Sequence, residues 1–156
     1  MAYHASYSAS KAGIRHLSLA ISQELRLAGN KNIKVVTVEP WAVDTPFWRH
    51  AANYTGVEPK MILMDEPVKV VNTVLRKSLR PKKIAPVGYK AKLSSFMANV
   101  FPRMNERITA NLSHKYQMEM PPAAVDTSGT LHQPMKEGRG VEDGLNERMK
   151  EWKKKN

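Results

Sequence analysis

Apolar side chains recur at Ile14, Leu17, Ile21 and Leu25, with Leu19 and Leu27 on adjoining rows, the three-and-four spacing of a helix with one broad buried face. Gly29-Asn30 closes that pattern and predicts a helix that ends near Leu27. Beyond it, Ile33-Lys34-Val35-Val36-Thr37-Val38-Glu39 turns to a β-branched run of strand length. A second strand is expected over Lys83-Ile84-Ala85-Pro86-Val87, where the internal proline points to an edge position. Between the two, Asp65-Glu66-Pro67 supplies a capping acceptor, acidic charge and an early proline, and Val68, Val71, Val74, Leu75 and Leu79 continue as a helix that stops before Pro81. A third helix is expected from about Lys90 through Leu93, Phe96, Met97, Val100, Phe101 and Met104, kinked at Pro102. After Met120 the chain turns polar and rich in Pro and Gly, with too few large apolar residues for a core of its own. The expected organisation is a folded part over residues 1–119 and a largely disordered tail over 120–156, with a short charged helix at its end.

Composition narrows the function classes. The chain has 156 residues, with 25 Lys and Arg against 14 Asp and Glu, a formal net charge of +11. It has no cysteine, which excludes disulfides and thiolate metal sites, and its histidines at 4, 16, 50, 114 and 132 share no ligand-like spacing, so no metal site is expected. No secretory signal is visible and no apolar run approaches the roughly 20 residues of a spanning helix, which makes the cytoplasm the default address.

The positive charge is concentrated, with twelve Lys or Arg against three Asp or Glu between residues 60 and 115. Two readings of that region stand. The basic, apolar-striped third helix suits attachment to an anionic membrane surface, a membrane-peripheral location. Alternatively its stripe seals the edge of the domain or the substrate pocket and its basic side is solvated. Nucleic acid is set aside as a partner, because charge is its only support: no recognition motif or aromatic stacking platform is present.

The candidate chemistry lies at Tyr7-Ser8-Ala9-Ser10-Lys11, where a phenol and an amine stand one helical turn apart and therefore point the same way. A phenol, with an ordinary pKa of about 10, is a poor proton donor or acceptor near neutrality, and a fixed ammonium one turn away favours its phenolate. The spacing alone is weak, since chance supplies it in many helices. Its weight comes from the succession of segments C-terminal to it: Ala12-Gly13-Ile14, the apolar helix, the strand at 33–39, and then Pro40-Trp41-Ala42-Val43-Asp44-Thr45-Pro46-Phe47.

This succession resembles the C-terminal portion of the short-chain dehydrogenase/reductase family, most specifically over residues 3–48. The resemblance implies an α/β fold, the C-terminal half of a doubly wound Rossmann-type domain. It also implies NAD- or NADP-dependent interconversion of a carbonyl and an alcohol. Tyr7 matches the family's general acid/base, and Lys11 the residue that tunes it and holds the nicotinamide ribose. Pro40, Val43 and Thr45 fall in the loop that contacts the carboxamide and pyrophosphate. The region that covers the substrate would include Trp41, Phe47, Trp48 and Tyr54, an aromatic mouth suited to a small hydrophobic carbonyl or alcohol, or else aromatics that pack a lid onto the body. In the family the first helix also packs on a partner subunit, so a homo-oligomer through that helix is expected.

Two departures qualify the match. None of the eight glycines forms a glycine-rich turn between a strand and a helix, the feature that brings backbone amides to a pyrophosphate. The family's catalytic Ser would fall before Met1, and Ser6, Ser8 and Ser10 share the segment of Tyr7 and read as small helix-surface or packing residues. The chain is therefore expected to be incomplete as a catalyst on its own. The second departure is Trp41, which stands where the family loop has glycine; either the loop is reshaped or the bend survives with an aromatic on it.

Overall fold

The structure, a computed structural model, describes residues 1–58, 61 and 63–155. It is a mixture of helices and a small parallel sheet, compatible with an α/β fold. The elements are α1 (Ala5–Leu27), β1 (Thr37–Glu39), α2 (Phe47–His50), α3 (Pro67–Leu79), β2 (Ile84–Pro86), α4 (Gly88–Val100), α5 (Pro102–His114) and α6 (Leu145–Lys155), with a single π-helical turn at Lys115–Glu119. They fall into two compact units.

The first unit comprises Met1–Trp41 and Val68–Arg107. Its helix α1 ends as the Gly29-Asn30 pair predicts. The Gly29 amide donates to the Arg26 carbonyl and the Asn30 amide to the Leu25 carbonyl, while Gly29 takes a φ of 70°, a left-handed conformation that suits glycine. The two strands pair in parallel, Thr37 opposite Ile84 and Glu39 opposite Pro86. Pro86 has no N–H to give, and the ladder is continued by the Val87 amide on the Glu39 carbonyl. The expected strand at 33–39 is thus paired only from Thr37 onward, because β2 offers three residues opposite it.

A sheet this narrow covers little. Ala85 and Val87 are buried with Ala91 of α4, whereas α1 has no buried residue and leaves Ile14, Leu17, Ile21 and Leu27 exposed. Val68, Val71, Val74, Leu75 and Leu79 of α3 are likewise exposed. The single kinked helix expected from about Lys90 is two helices. Phe101, at φ −127° and ψ 61°, leaves the helical region, and Pro102 opens α5 at the first-turn position where its missing N–H costs nothing.

The second unit comprises Ala42–Pro67 and Ile108–Asn156. Its core is Met64, Leu145 and Met149, with Ala42, Trp48 and Met61 packed against them. The segment after Met120 returns along the 50s: Asn53 pairs antiparallel with Thr127 and Val57 with Ala123. The Asp44 carboxylate accepts the Leu145 amide at 3.1 Å and so caps α6 from far away in sequence.

Candidate functional site

Tyr7 and Lys11 lie on one side of α1. The Lys11 Nζ stands 5.2 Å from the centroid of the Tyr7 ring, a cation–π distance, so the ammonium rests over the ring face. Tyr7 is 42% exposed, open enough to be reached by a ligand. Ser10 donates its hydroxyl to the Tyr7 carbonyl at 2.7 Å, the local back-bonding of a helix-surface serine.

Arg15 stands one turn past Lys11 on the same side. Its Nε lies 3.2 Å from Glu39 Oε1, which ties α1 to the carboxyl end of β1. The far end of α1 borders the other end of that strand, where Leu25 and Arg26 line a cavity with Lys34 and Val35. The helix therefore runs opposite to β1. Lys11 and Tyr7 project past its carboxyl end, roughly 6 and 12 Å beyond Arg15 along the axis at 1.5 Å per residue. That edge is where open α/β sheets hold their ligands.

Pro40 and Trp41 follow directly on β1. Trp41 is not among the described residues with positive φ, so the indole sits in this loop without left-handed strain, and the loop takes a form that needs no glycine at that position. A cavity of about 250 Å³ opens here, lined by Arg15, Glu39, Pro40, Trp41 and, from α4, Ser94 and Ser95 among others. Sequence reasoning did not single out Arg15 or the serine pair. The signals were there: Arg15 continues the four-residue spacing of Tyr7 and Lys11, and two adjacent serines interrupt an apolar stripe.

The remaining candidates belong to the second unit. Val43 forms a parallel bridge with Asp65, supported by the Asp44 amide on the Asp65 carbonyl at 3.0 Å and the Asp65 amide on the Ala42 carbonyl at 2.8 Å. The Thr45 amide donates to the Val43 carbonyl at 3.0 Å, a tight turn that brings the chain to Pro46 and α2. Phe47 is exposed and meets Trp48 edge-on at 5.2 Å, while Trp48 packs on the Met64–Leu145–Met149 core. Tyr54 is exposed.

Close by, Asp143 is clasped by two arginines. Arg49 Nε lies 2.8 Å from Oδ1 and an Arg148 guanidinium nitrogen 2.7 Å from Oδ2, and the Asp143 side chain is only 4% exposed. Burial pushes its carboxyl up, but the hydrogen bonds from Arg148 and Arg49 and the charges of both outweigh that and hold it below the usual carboxylate value. Among the described residues no group of three His, Asp or Glu side chains is arranged to hold a metal ion, and no helix is long and apolar enough to cross a membrane.

Comparison with known proteins gives a distant likeness to an oxidoreductase. Over 113 residues, 71% of this chain, it is 24% identical to the uncharacterized oxidoreductase YxnA of Bacillus subtilis strain 168. The match covers 32% of that protein, so the chain spans about a third of its length. No family model matches the chain, and no solved structure does.

Proposed function

We propose that the chain is the proton-exchanging part of a nicotinamide-dependent oxidoreductase of the short-chain dehydrogenase/reductase type, acting on a carbonyl/alcohol pair. The observation that carries this reading is the Lys11 ammonium over the Tyr7 ring, on a helix that projects both past the carboxyl end of β1. The likeness to an oxidoreductase agrees with it.

In this reading the Tyr7 hydroxyl gives a proton to the substrate oxygen during reduction and takes it back during oxidation. Lys11 stabilises the negative charge that develops on the phenol oxygen when that proton leaves. Its ammonium has three donors, and a ribose diol offers matching acceptors. Pro40, Val43 and Thr45 contribute loop contacts to the carboxamide and pyrophosphate. Trp41, Phe47, Trp48 and Tyr54 select a small hydrophobic substrate, and the reaction is a cytoplasmic one. NAD or NADP supplies the hydride when bound. The sequence contains no glycine-rich turn for the pyrophosphate, so the chain alone is expected to give no calorimetric signal with NADH; micromolar affinity would contradict this.

The test supplies what is missing. The chain is fused behind the nucleotide-binding first half of an oxidoreductase of this type and assayed for reduction of aryl ketones. Tyr7→Phe is expected to lower kcat by about 100-fold or more while leaving the KM for the nicotinamide cofactor unchanged. An undiminished rate in Tyr7→Phe would remove Tyr7 from the chemistry.

A second reading is favoured by one observation: Leu93, Phe96 and Val100 of α4 and Phe101 and Met104 beyond it are exposed beside Lys90, Lys92, Arg103 and Arg107. Such a surface suits peripheral attachment to an anionic membrane. Cosedimentation with anionic vesicles at low and high salt tests it, and absence of pelleting at low salt removes it.

A further inference from the structure

The end of α1 and the approaches to both strands line a half-open cavity of about 310 Å³. Five cationic side chains line it: Arg26 from the last turn of α1, Lys31 and Lys34 from the loop that follows, and Lys82 and Lys83 from the segment before β2. No Asp or Glu stands in the wall, and among the described residues none of the five has an ion-pair partner. Like charges gathered at one opening repel each other, and an anion between them converts repulsion into attraction.

The loop that carries two of the cations is braced from within. Gly29 turns the chain at the helix end, and the Asn30 Oδ1 accepts the amides of Asn32 and Ile33 at 3.1 Å each. Lys31 and Lys34 are thus presented by a backbone already fixed, which reduces the ordering a ligand has to impose.

We propose that this cavity binds a phosphomonoester or terminal diphosphate group, carried by a soluble compound or by a lipid headgroup. Compact, multiply charged tetrahedral anions match several ammonium groups acting as point charges and one guanidinium fork. A single carboxylate would leave most of the five cations unanswered. The cavity is separate from the Tyr7 face: Arg26 stands nineteen positions along α1 from Tyr7, roughly 28 Å at 1.5 Å per residue. It stands whether or not the oxidoreductase reading holds.

Calorimetric titration of the full chain with pyrophosphate tests the site. One binding event that weakens as salt rises is expected. Lys82→Ala/Lys83→Ala should weaken it about tenfold or more, whereas Lys150→Ala/Lys154→Ala, which removes the same charge from α6, should change it by less than about twofold. Absence of binding, or equal loss in the two double variants, overturns the proposal, the latter because it reports net charge alone. A readout on the unaltered chain guards against misfolded variants: pyrophosphate should slow amide exchange over residues 29–35 and 83–84, and unchanged exchange there also overturns it. The source of the group is read by competition. Vesicles of phosphatidylcholine with phosphatidylinositol phosphate displace pyrophosphate if the site takes a headgroup, and leave it bound if the site takes a soluble compound; both results keep the site.

Discussion

Arg15 holds Glu39 with its Nε 3.2 Å from Oε1, and this contact joins the helix that carries Tyr7 to the end of β1. Both side chains are partly exposed, 44% and 28%, so solvent screens the pair. A double-mutant cycle of Arg15→Met and Glu39→Gln in urea should give a coupling of about 0.5 kcal/mol. A value above about 2 kcal/mol would be that of a desolvated pair and would contradict the screened geometry.

Asp143 makes the second unit sensitive to acid. Its carboxyl is held below the ordinary value when folded, so the stability it contributes is complete above the unfolded value of about 4 and is lost as pH falls through the lower folded value. Unfolding followed from pH 6 down to about pH 2 should show stability falling from about pH 4 downward, and Asp143→Asn should flatten that fall. The variant should cost about 1 kcal/mol at neutral pH, between a surface and a buried pair, because both arginines are partly exposed.

Two glycines separate steric from conformational cost. A Cβ on Gly129 would collide with the His50 carbonyl oxygen and lie 2.7 Å from the Ala51 carbonyl carbon, whereas a Cβ on Gly56 meets open space at a φ of 74°. Gly56→Ala should cost about 1 kcal/mol, the left-handed penalty alone, and Gly129→Ala about 2 kcal/mol or more. Thermal melts of the two variants check the order; equal losses would mean that the close approach at His50 is relieved without cost.

Asp44→Ala removes the carboxylate that accepts the Leu145 amide. A loss of about 1 kcal/mol is expected, with faster amide exchange in the first turn of α6. Unchanged exchange at Leu145 would show that the cap is dispensable.

Local features were legible in the sequence. The helix that ends at Leu27 was announced by its three-and-four apolar spacing and by Gly29, and α3 by Pro67 at its start and Pro81 beyond its end. Pairing was less so. Residues 33–36 have strand chemistry but no strand opposite them among the described residues, and strand length depends on what lies opposite. Pro102 reads equally as a kink inside a helix or as the first residue of a new one, and Phe101 decides it by leaving the helical region. The contacts of Thr127, Ala123 and Leu145 with the 40s and 50s have no local signature, since their partners are distant in sequence. At the candidate site, the four-residue spacing made Tyr7 and Lys11 visible, while Arg15 needed its contact with Glu39 to gain meaning.

Lys11 is proposed to make Tyr7 a proton-exchange group, and a second tyrosine has its cation farther off: Lys69 lies over the Tyr89 ring at 6.0 Å against 5.2 Å for Lys11 over Tyr7, and Tyr89 is the more exposed phenol. The direct measurement is the rate of labelling of each tyrosine by an aryl sulfonyl fluoride, read by peptide mass spectrometry in the unaltered chain and in Lys11→Met. Tyr7 is expected to react faster than Tyr89 despite its lower exposure, and Lys11→Met to remove the advantage. Labelling that follows exposure, with Tyr89 ahead of Tyr7 and no effect of Lys11→Met, would contradict it.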